Sequence, residues 1–485
     1  MLTRKTQSIW NGVDDPQRPI NWPGIKKWTA TLILSCFSFL QPLSETMLAP
    51  AKDQISNDLN IVQSYQWLLV NSIILIGVGL SPLVLAPLSE VYGRKPVLIS
   101  ASLVFLVWNT AAGASTTVGQ LIAFRLLSGF GASVADALAG GLMSDLWRPE
   151  ERGRTFAVYM AAPLLGPALG PILGAFISQG ADWRWIFWST SSASALVTVL
   201  AIVFLHETYQ PRLEYLRSLK ARESSDPNTS PRHLKALFQF INPGTITSSD
   251  NATSFLQIMR TNLQRPLWML GTQPIIQLLA VYMALLYGTM FLFLFMYPVL
   301  WTDVYHESVG IGSLNYISFA IGLILGVNIS GFLNDYLYRR FTRNSTGRPE
   351  YRVPPMIIGT ALFPIGLLWW GWTGQRGLHW ILPNIGSLLI GTGVYVCSGC
   401  VSVYTIDAYT KYAASAISTN LVSRSIAAAF FPLFAPYLFK ALGFGLGATT
   451  LAGAFIVVGT VVVSVLWFFG QTLRSRSSYY AAHET

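Results

Sequence analysis

The 485 residues are 52% hydrophobic and 11% charged, with a net charge of +10 and a mean hydropathy of +0.46. A soluble domain carries about 25% charged residues, so this composition excludes a water-soluble globular protein. Lys and Arg lie in short clusters between apolar runs and form no basic stripe interleaved with aromatics, which excludes a nucleic-acid binder.

Apolar runs of about 20 residues are long enough to cross a bilayer as helices, and no barrel-like alternation is present. The fold class is therefore an all-α membrane protein of twelve transmembrane helices in two six-helix bundles. Residues 1–27 form a polar tail with no apolar signal region, so the first span is expected to target the chain. Spans are placed near 28–50, 66–89, 97–115, 118–145, 155–178 and 184–205, giving an N-terminal bundle over 28–205. A hydrophilic connector follows over 206–269, rich in Ser, Pro and Asn, with a basic amphipathic segment suited to a lipid surface. Six more spans near 270–300, 309–338, 354–374, 380–407, 418–440 and 444–470 make a C-terminal bundle over 270–470, before a tail over 471–485.

With both termini and the connector on the cytoplasmic side, 26 of the 32 Lys and Arg residues fall there. Only Lys52, Arg184, Arg376 and Lys440 face the other side, and Arg125 and Arg424 lie within spans, as the positive-inside rule requires. The sequons at Asn228, Asn251, Asn328 and Asn344 then lie in the cytoplasm or within a span, and none is expected to carry glycan. Cys36, Cys397 and Cys400 all sit in apolar runs, so no disulfide framework, metal pair or other cofactor site is expected.

One pattern occurs twice. APLSEVYGRK at 86–95 and GFLNDYLYRR at 331–340 align Glu90 with Asp335, Arg94 with Arg339 and Lys95 with Arg340, each between the second and third span of a half. Gly93 allows a tight turn, and Arg94 is expected to bridge to Asp145 at the end of the fourth span as a conformational latch. Asp335, Arg339 and Arg340 would form its weaker counterpart. On the fifth span Gly166, Gly170 and Gly174 recur every fourth residue, a smooth face for a close backbone approach. Pro167 and Pro171 beside them remove helix hydrogen bonds and bend it.

These segments resemble the signatures of the major facilitator superfamily. APLSEVYGRKP is similar to the loop pattern G-x-L-x-D-R-x-G-R-[KR], with Ala86 in place of the first glycine and Glu90 in place of the aspartate. RLLSGFGAS from Arg125 resembles the fourth-span pattern R-x-x-x-G-x-G. APLLGPALGPILGAF at 162–176 resembles the fifth-span motif of the drug:proton antiporter branch. DDPQRPINW, DWRWIFW, LHETYQPRL and YAASAISTNLVSRSIAAAFFPLF look like fungal twelve-span members. The resemblance implies proton-coupled export of drugs, toxins or secondary metabolites by a functional monomer in the plasma or vacuolar membrane. Organic-acid export, polyamine export and nutrient import stand as alternatives.

Ionisable groups within spans are costly and point to function. Arg125 and Asp136 are eleven residues apart, about three turns, so both are expected on one face of the fourth span with Ser128 between them. Ser35, Ser38, Gln41 and Glu45 form a polar stripe on the first span. Gln273, Gln277 and Tyr287 suggest a counterpart on the seventh. Asp136 and Glu45 are the candidate proton carriers, Asp136 favoured through Arg125. Tyr282, Tyr287 and Tyr395 are candidates to stack on a planar ligand, and Arg424 either pairs with Asp335 or Asp407 or reaches the cavity. No phosphate-binding loop is present, the five histidines fall in loops or tails, and no nucleophile–base set occurs, so neither an ATP-driven pump nor an enzyme is expected.

Overall fold

The structure, a computed structural model, describes residues 15–214, 216–217, 264–343, 348–409 and 413–475. Its elements are helices whose backbones bond internally, as a chain surrounded by lipid requires. Asn228, Asn251, Asn344 and most of the connector lie outside the described residues.

The first span is Gly24–Thr46, and the second is built from Ser64–Ser72 and Ile74–Tyr92. The third is Arg94–Gly113, and the fourth is Val118–Ala132 followed by Val134–Leu146. The fifth is Pro149–Gly180 and the sixth Arg184–Phe204. In the second half, the seventh is Pro274–Asp303 and the eighth Val309–Leu314 with Tyr316–Thr342. The ninth is Val353–Gln375 and the tenth Ile381–Ala408.

The last apolar stretch, Ser415–Ser475, is 61 residues long. At 1.5 Å per residue that is about 90 Å, far beyond one bilayer crossing. It divides into two spans. Ala413–Phe430 is followed by a 3-10 turn at Phe431–Phe434, and the helix from Ala435 breaks at Gly443, whose φ of 73° and ψ of 176° suit only glycine. The eleven stretches that qualify by length and hydropathy thus hold twelve spans.

Packing follows sequence halves. The first span packs on the fifth, sixth and fourth, and the second and third pack on the fourth. The ninth packs on the tenth and twelfth, and the eighth on the tenth. Large apolar side chains such as Leu196, Val203, Val457 and Phe468 point outward, as a lipid-facing surface requires. The halves meet where the second span packs on the eleventh and the fifth on the eighth. A Cβ on Gly79 would lie 2.5 Å from that of Ser425, and one on Gly310 would lie 2.6 Å from Gln179. Ser64–Ser72 packs on Phe431–Phe434. These contacts lie at mid-membrane or toward the end opposite the chain termini. Among the described residues, no hydrogen bond or ion pair joins the two halves.

The glycine face of the fifth span packs on the first, as its spacing predicts. A Cβ on Gly166 would meet Pro42 at 2.5 Å, one on Gly170 the Leu43 carbonyl at 2.9 Å, and one on Gly174 the Met47 carbonyl carbon at 2.8 Å. Pro167 and Pro171 lie inside this continuous helix. The contact fixes the stretch of the first span that carries Glu45.

Candidate functional site

Charged and polar side chains converge on the midline between the halves. Ser133 breaks the fourth span, with φ −88° and ψ 18°, and its hydroxyl donates to the Val78 carbonyl at 3.1 Å. The break separates Arg125 from Asp136. Arg125 is 1% exposed, and its guanidinium donates to the carbonyls of Val70 at 3.3 Å, Ser44 at 3.0 Å and Asn71 at 3.1 Å. Asp136 Oδ1 accepts from Ser38 at 3.2 Å and lies 3.4 Å from the Tyr159 hydroxyl. Both residues reach the first span, Arg125 at the Ser44 carbonyl and Asp136 at the Ser38 hydroxyl, and both lie within electrostatic range of Glu45.

From the other half, Arg424 sits within electrostatic range of Asp136. It donates to the Tyr287 hydroxyl at 3.1 Å and lies over that ring at 4.7 Å. Ser398 donates to the same hydroxyl at 3.3 Å, and Tyr395 stands within range of Tyr287, Arg424 and Asp136. Arg424 thus takes the cavity and leaves Asp335 and Asp407 to another partner. Glu45 is 7% exposed and accepts from Gln41 at 3.2 Å.

The midline set is Ser38, Gln41, Glu45, Asp136 and Tyr159 facing Tyr287, Tyr395 and Arg424. Four other expected cavity residues fall outside it. Ser128 is fully buried and donates to the carbonyl of Arg125, one turn back on its own helix. Tyr282 is buried inside the second half between Thr360 at 2.8 Å and Cys397 at 2.9 Å. Gln273 donates to the adjacent Thr272, and Gln277 is exposed and donates to the Gly271 carbonyl. Nothing in its own segment marks Tyr159; Ser35 on the first span donates to its carbonyl at 3.0 Å and holds it at the site.

The midline opens toward the end that carries the chain termini. Gly140 and Ser144 lie one and two turns beyond Asp136 on its face, and both are exposed. A Cβ on Gly140 would meet nothing within 4 Å. In the other direction Glu45 lines a recess walled by Phe291, Phe295, Tyr316 and Pro432. The site is reached from the end that carries the chain termini.

At that end each half holds a charge cluster. Arg94 pairs with Asp145 at 3.4 Å and donates to Ser89 at 2.5 Å. Glu207, after the sixth span, accepts from the backbone N–H of Arg94 at 2.9 Å and of Lys95 at 3.2 Å. Gly93 makes this close approach possible at φ 99°, since a Cβ there would lie 2.8 Å from the Glu207 carboxyl carbon. Lys95 donates its ammonium to the Ile202 carbonyl at 2.8 Å. Glu90 is exposed and joins none of the ion pairs among the described residues. Tyr209, outside the spans, stacks beneath Arg94 at 5.1 Å, and burial pushes its hydroxyl above the usual range.

The second cluster differs from the alignment of the two sequence copies. Arg352, just before the ninth span, donates to Asp407 at 2.9 Å, lies 3.7 Å from Asp335 and donates to the Asn334 carbonyl at 3.1 Å. Arg339 and Arg340 are exposed on the last turn of the eighth span and join none of these pairs. The physical reason is that the eighth span stays helical to Thr342, so the base that opens the next helix comes later in sequence. Beside it, Glu350 and Arg474 form a buried two-pronged pair at 2.9 and 2.8 Å.

Among the described residues, no group of three His, Cys, Asp or Glu side chains is placed to hold a metal ion. Residues 34–432 match the family described as the Major Facilitator Superfamily. "Efflux pump vrtL" of Penicillium aethiopicum is 39% identical over 472 residues, covering 97% of this chain and 90% of its own. "Uncharacterized transporter C1529.01" of Schizosaccharomyces pombe is 40% identical, covering 97% and 93%. Among solved structures, the xylose transporter XylE from E. coli, in a partially occluded inward open conformation, superposes with a TM-score of 0.64. It is 16% identical and covers 92% of this chain and 98% of its own, a likeness of fold.

Proposed function

The chain belongs to the Major Facilitator Superfamily, and from that premise we propose that it is a proton-coupled exporter of small organic molecules that works by alternating access. The observation that carries this reading is Asp136 facing Arg424 across the midline between two halves that share no hydrogen bond or ion pair among the described residues. A half-buried intramembrane carboxylate opposed by a fixed cation is a suitable proton site: protonation removes the attraction between the halves, and release restores it. Interfaces with two discrete arrangements, joined by packing and not by directed bonds, suit rocking about such a site.

Both termini and the connector are cytoplasmic in this reading, following the Lys and Arg distribution. The open end is then the cytoplasmic one, so the conformation is ready to load cargo from inside the cell. A single chain contains both halves of the path, which favours a functional monomer. The plasma membrane is the expected site, and the relatives named efflux pumps favour export over nutrient import.

The test is transport in proteoliposomes with an imposed pH gradient. Wild-type protein should expel an amphipathic dye such as rhodamine 6G until a protonophore collapses the gradient. Asp136→Asn should lower gradient-driven efflux at least tenfold while the protein remains folded. Efflux that survives the protonophore would reject proton coupling.

A further inference from the structure

The second copy of the repeated charged pattern keeps its arginines but gives them no acidic partner among the described residues. At the aligned place in the first half, Arg94 is 8% exposed and paired with Asp145. Arg339 and Arg340 are exposed instead, on the last turn of the eighth span, and Arg343 follows, also exposed, at its cap. The acids described at this end of the second half are engaged elsewhere: Asp335 and Asp407 face Arg352, and Glu350 holds Arg474. Asp335 stands one turn before Arg339, a spacing that suits an ion pair, yet it lies 3.7 Å from Arg352. The partial negative charge of a helix C-terminus amounts to about half a unit, too little for three guanidiniums.

These arginines extend an outward stripe. Phe332, Tyr336, Arg339 and Arg343 recur at i, i+4, i+7 and i+11, the spacing of one helix face, with Arg340 beside them. The stripe lies opposite Gly322 and Gly326, which pack on the tenth span, and it continues the exposed apolar side chains of Ile321 and Leu325. Phe332 and Tyr336 are 69% and 50% exposed, and their rings stack at 5.8 Å with planes 7° apart. Outward aromatic rings at the end of a span mark the boundary between lipid and water. Along the helix Arg339 lies about 4.5 Å beyond Tyr336 and Arg343 about 10 Å beyond it, within the headgroup layer that begins there.

We propose that this stripe seats an acidic phospholipid of the leaflet on the side of the chain termini. Its tails lie along Phe332 and Tyr336, and its phosphate is held by the guanidiniums of Arg339, Arg340 and Arg343. A guanidinium fork takes phosphate oxygens in pairs, and an arginine stem runs along apolar surface to bring its head to that level. A lipid supplies both the apolar and the anionic part of what the stripe offers, which a free phosphate does not. With its charge taken up by the headgroup, Arg339 leaves Asp335 to Arg352.

Native mass spectrometry of the purified full-length protein tests this, by titration with an equimolar mixture of dioleoyl phosphatidylserine and dioleoyl phosphatidylcholine. One arginine near an acidic lipid is worth about fivefold in association, so the first phosphatidylserine should bind at least fivefold more tightly than phosphatidylcholine. Changing Arg339→Gln, Arg340→Gln and Arg343→Gln together should abolish that preference. If this triple variant does not fold, Arg340→Glu alone should lower the preference at least threefold. Lys26→Gln with Arg148→Gln removes two charges at the same end of the first half and should leave it unchanged. Equal binding of the two lipids, a preference that survives the arginine changes, or an equal loss in the Lys26 and Arg148 variant would each overturn the proposal. Displacement of the bound phosphatidylserine by millimolar inorganic phosphate would assign the arginines to a soluble anion and overturn it as well.

Discussion

At the end that carries the termini, each half ties the same three places together: the start of its third helix, the end of its fourth and the region after its sixth or at its end. In the first half Arg94 reaches Asp145, and Glu207 caps the backbone of Arg94 and Lys95. In the second, Arg352 reaches Asp407 and Asp335, while Glu350 holds Arg474. The outer tie is reversed: its carboxylate, Glu207, follows the sixth span in the first half, whereas in the second half the carboxylate, Glu350, precedes the ninth span and the cation, Arg474, ends the twelfth. The duplication has kept the mechanical links and let the chemistry of each link drift. What is shared is position in the fold, and letter-by-letter alignment locates it only in part.

The comparison breaks hardest at the buried pair. Arg474 and Glu350 side chains are 4% and 9% exposed, so Glu350→Ala should cost about 3–5 kcal/mol by leaving a buried charge without its partner. Thermal unfolding in detergent reads this, and the paired change Glu350→Gln with Arg474→Met should recover most of the loss. Next comes Arg352→Ala, which releases two carboxylates and the Asn334 carbonyl and should destabilise by about 2–3 kcal/mol. Arg94→Ala should cost less, about 1–2 kcal/mol, because it faces one carboxylate. Equal effects of the two substitutions in the same unfolding assay would undo the asymmetry.

Gly93→Ala sharpens the difference further. Its φ of 99° and the nearness of Glu207 should make the change cost about 1–3 kcal/mol, read as a fall in midpoint temperature, and Glu207→Ala beside it should relieve only the steric part. The smallest effect belongs to Arg339→Ala with Arg340→Ala, expected within about 0.5 kcal/mol, as for exposed groups outside any network. A loss comparable to Arg352→Ala would restore the sequence alignment over the spatial one.

Much of this was legible in the sequence because it depends on short-range pattern. Apolar runs set the spans, and the four-residue spacing of Gly166, Gly170 and Gly174 announced a close helix contact. The Arg94–Asp145 pair was also within reach, since each residue sits at a helix end. What escaped was set by packing at long range. Nothing local marks Glu207 as the cap of a helix that begins 113 residues earlier. Tyr159 reaches Asp136 only because the fifth span presses on the first. The irregular turn at Ser133, between Arg125 and Asp136, comes with a hydroxyl contact to the Val78 carbonyl that no local pattern marks. Arg352 was hidden because a single glycine closes the turn in one half, while a longer connection replaces it in the other.

The glycine face of the fifth span also limits how such a protein can diversify. Gly166, Gly170 and Gly174 abut main-chain atoms of Leu43 and Met47 and the ring of Pro42, so a larger residue at any of them displaces the segment that holds Glu45. Variation on that wall is closed to selection as long as the carboxylate must stay in place. On the opposite wall, from helices of the other half, Tyr316 is tied by its hydroxyl to the Leu294 carbonyl, whereas Phe291 and Phe295 abut no such glycine face. Lineages that change cargo while keeping the same driving ion should therefore accumulate their substitutions on the seventh and eighth spans and leave the first and fifth almost untouched.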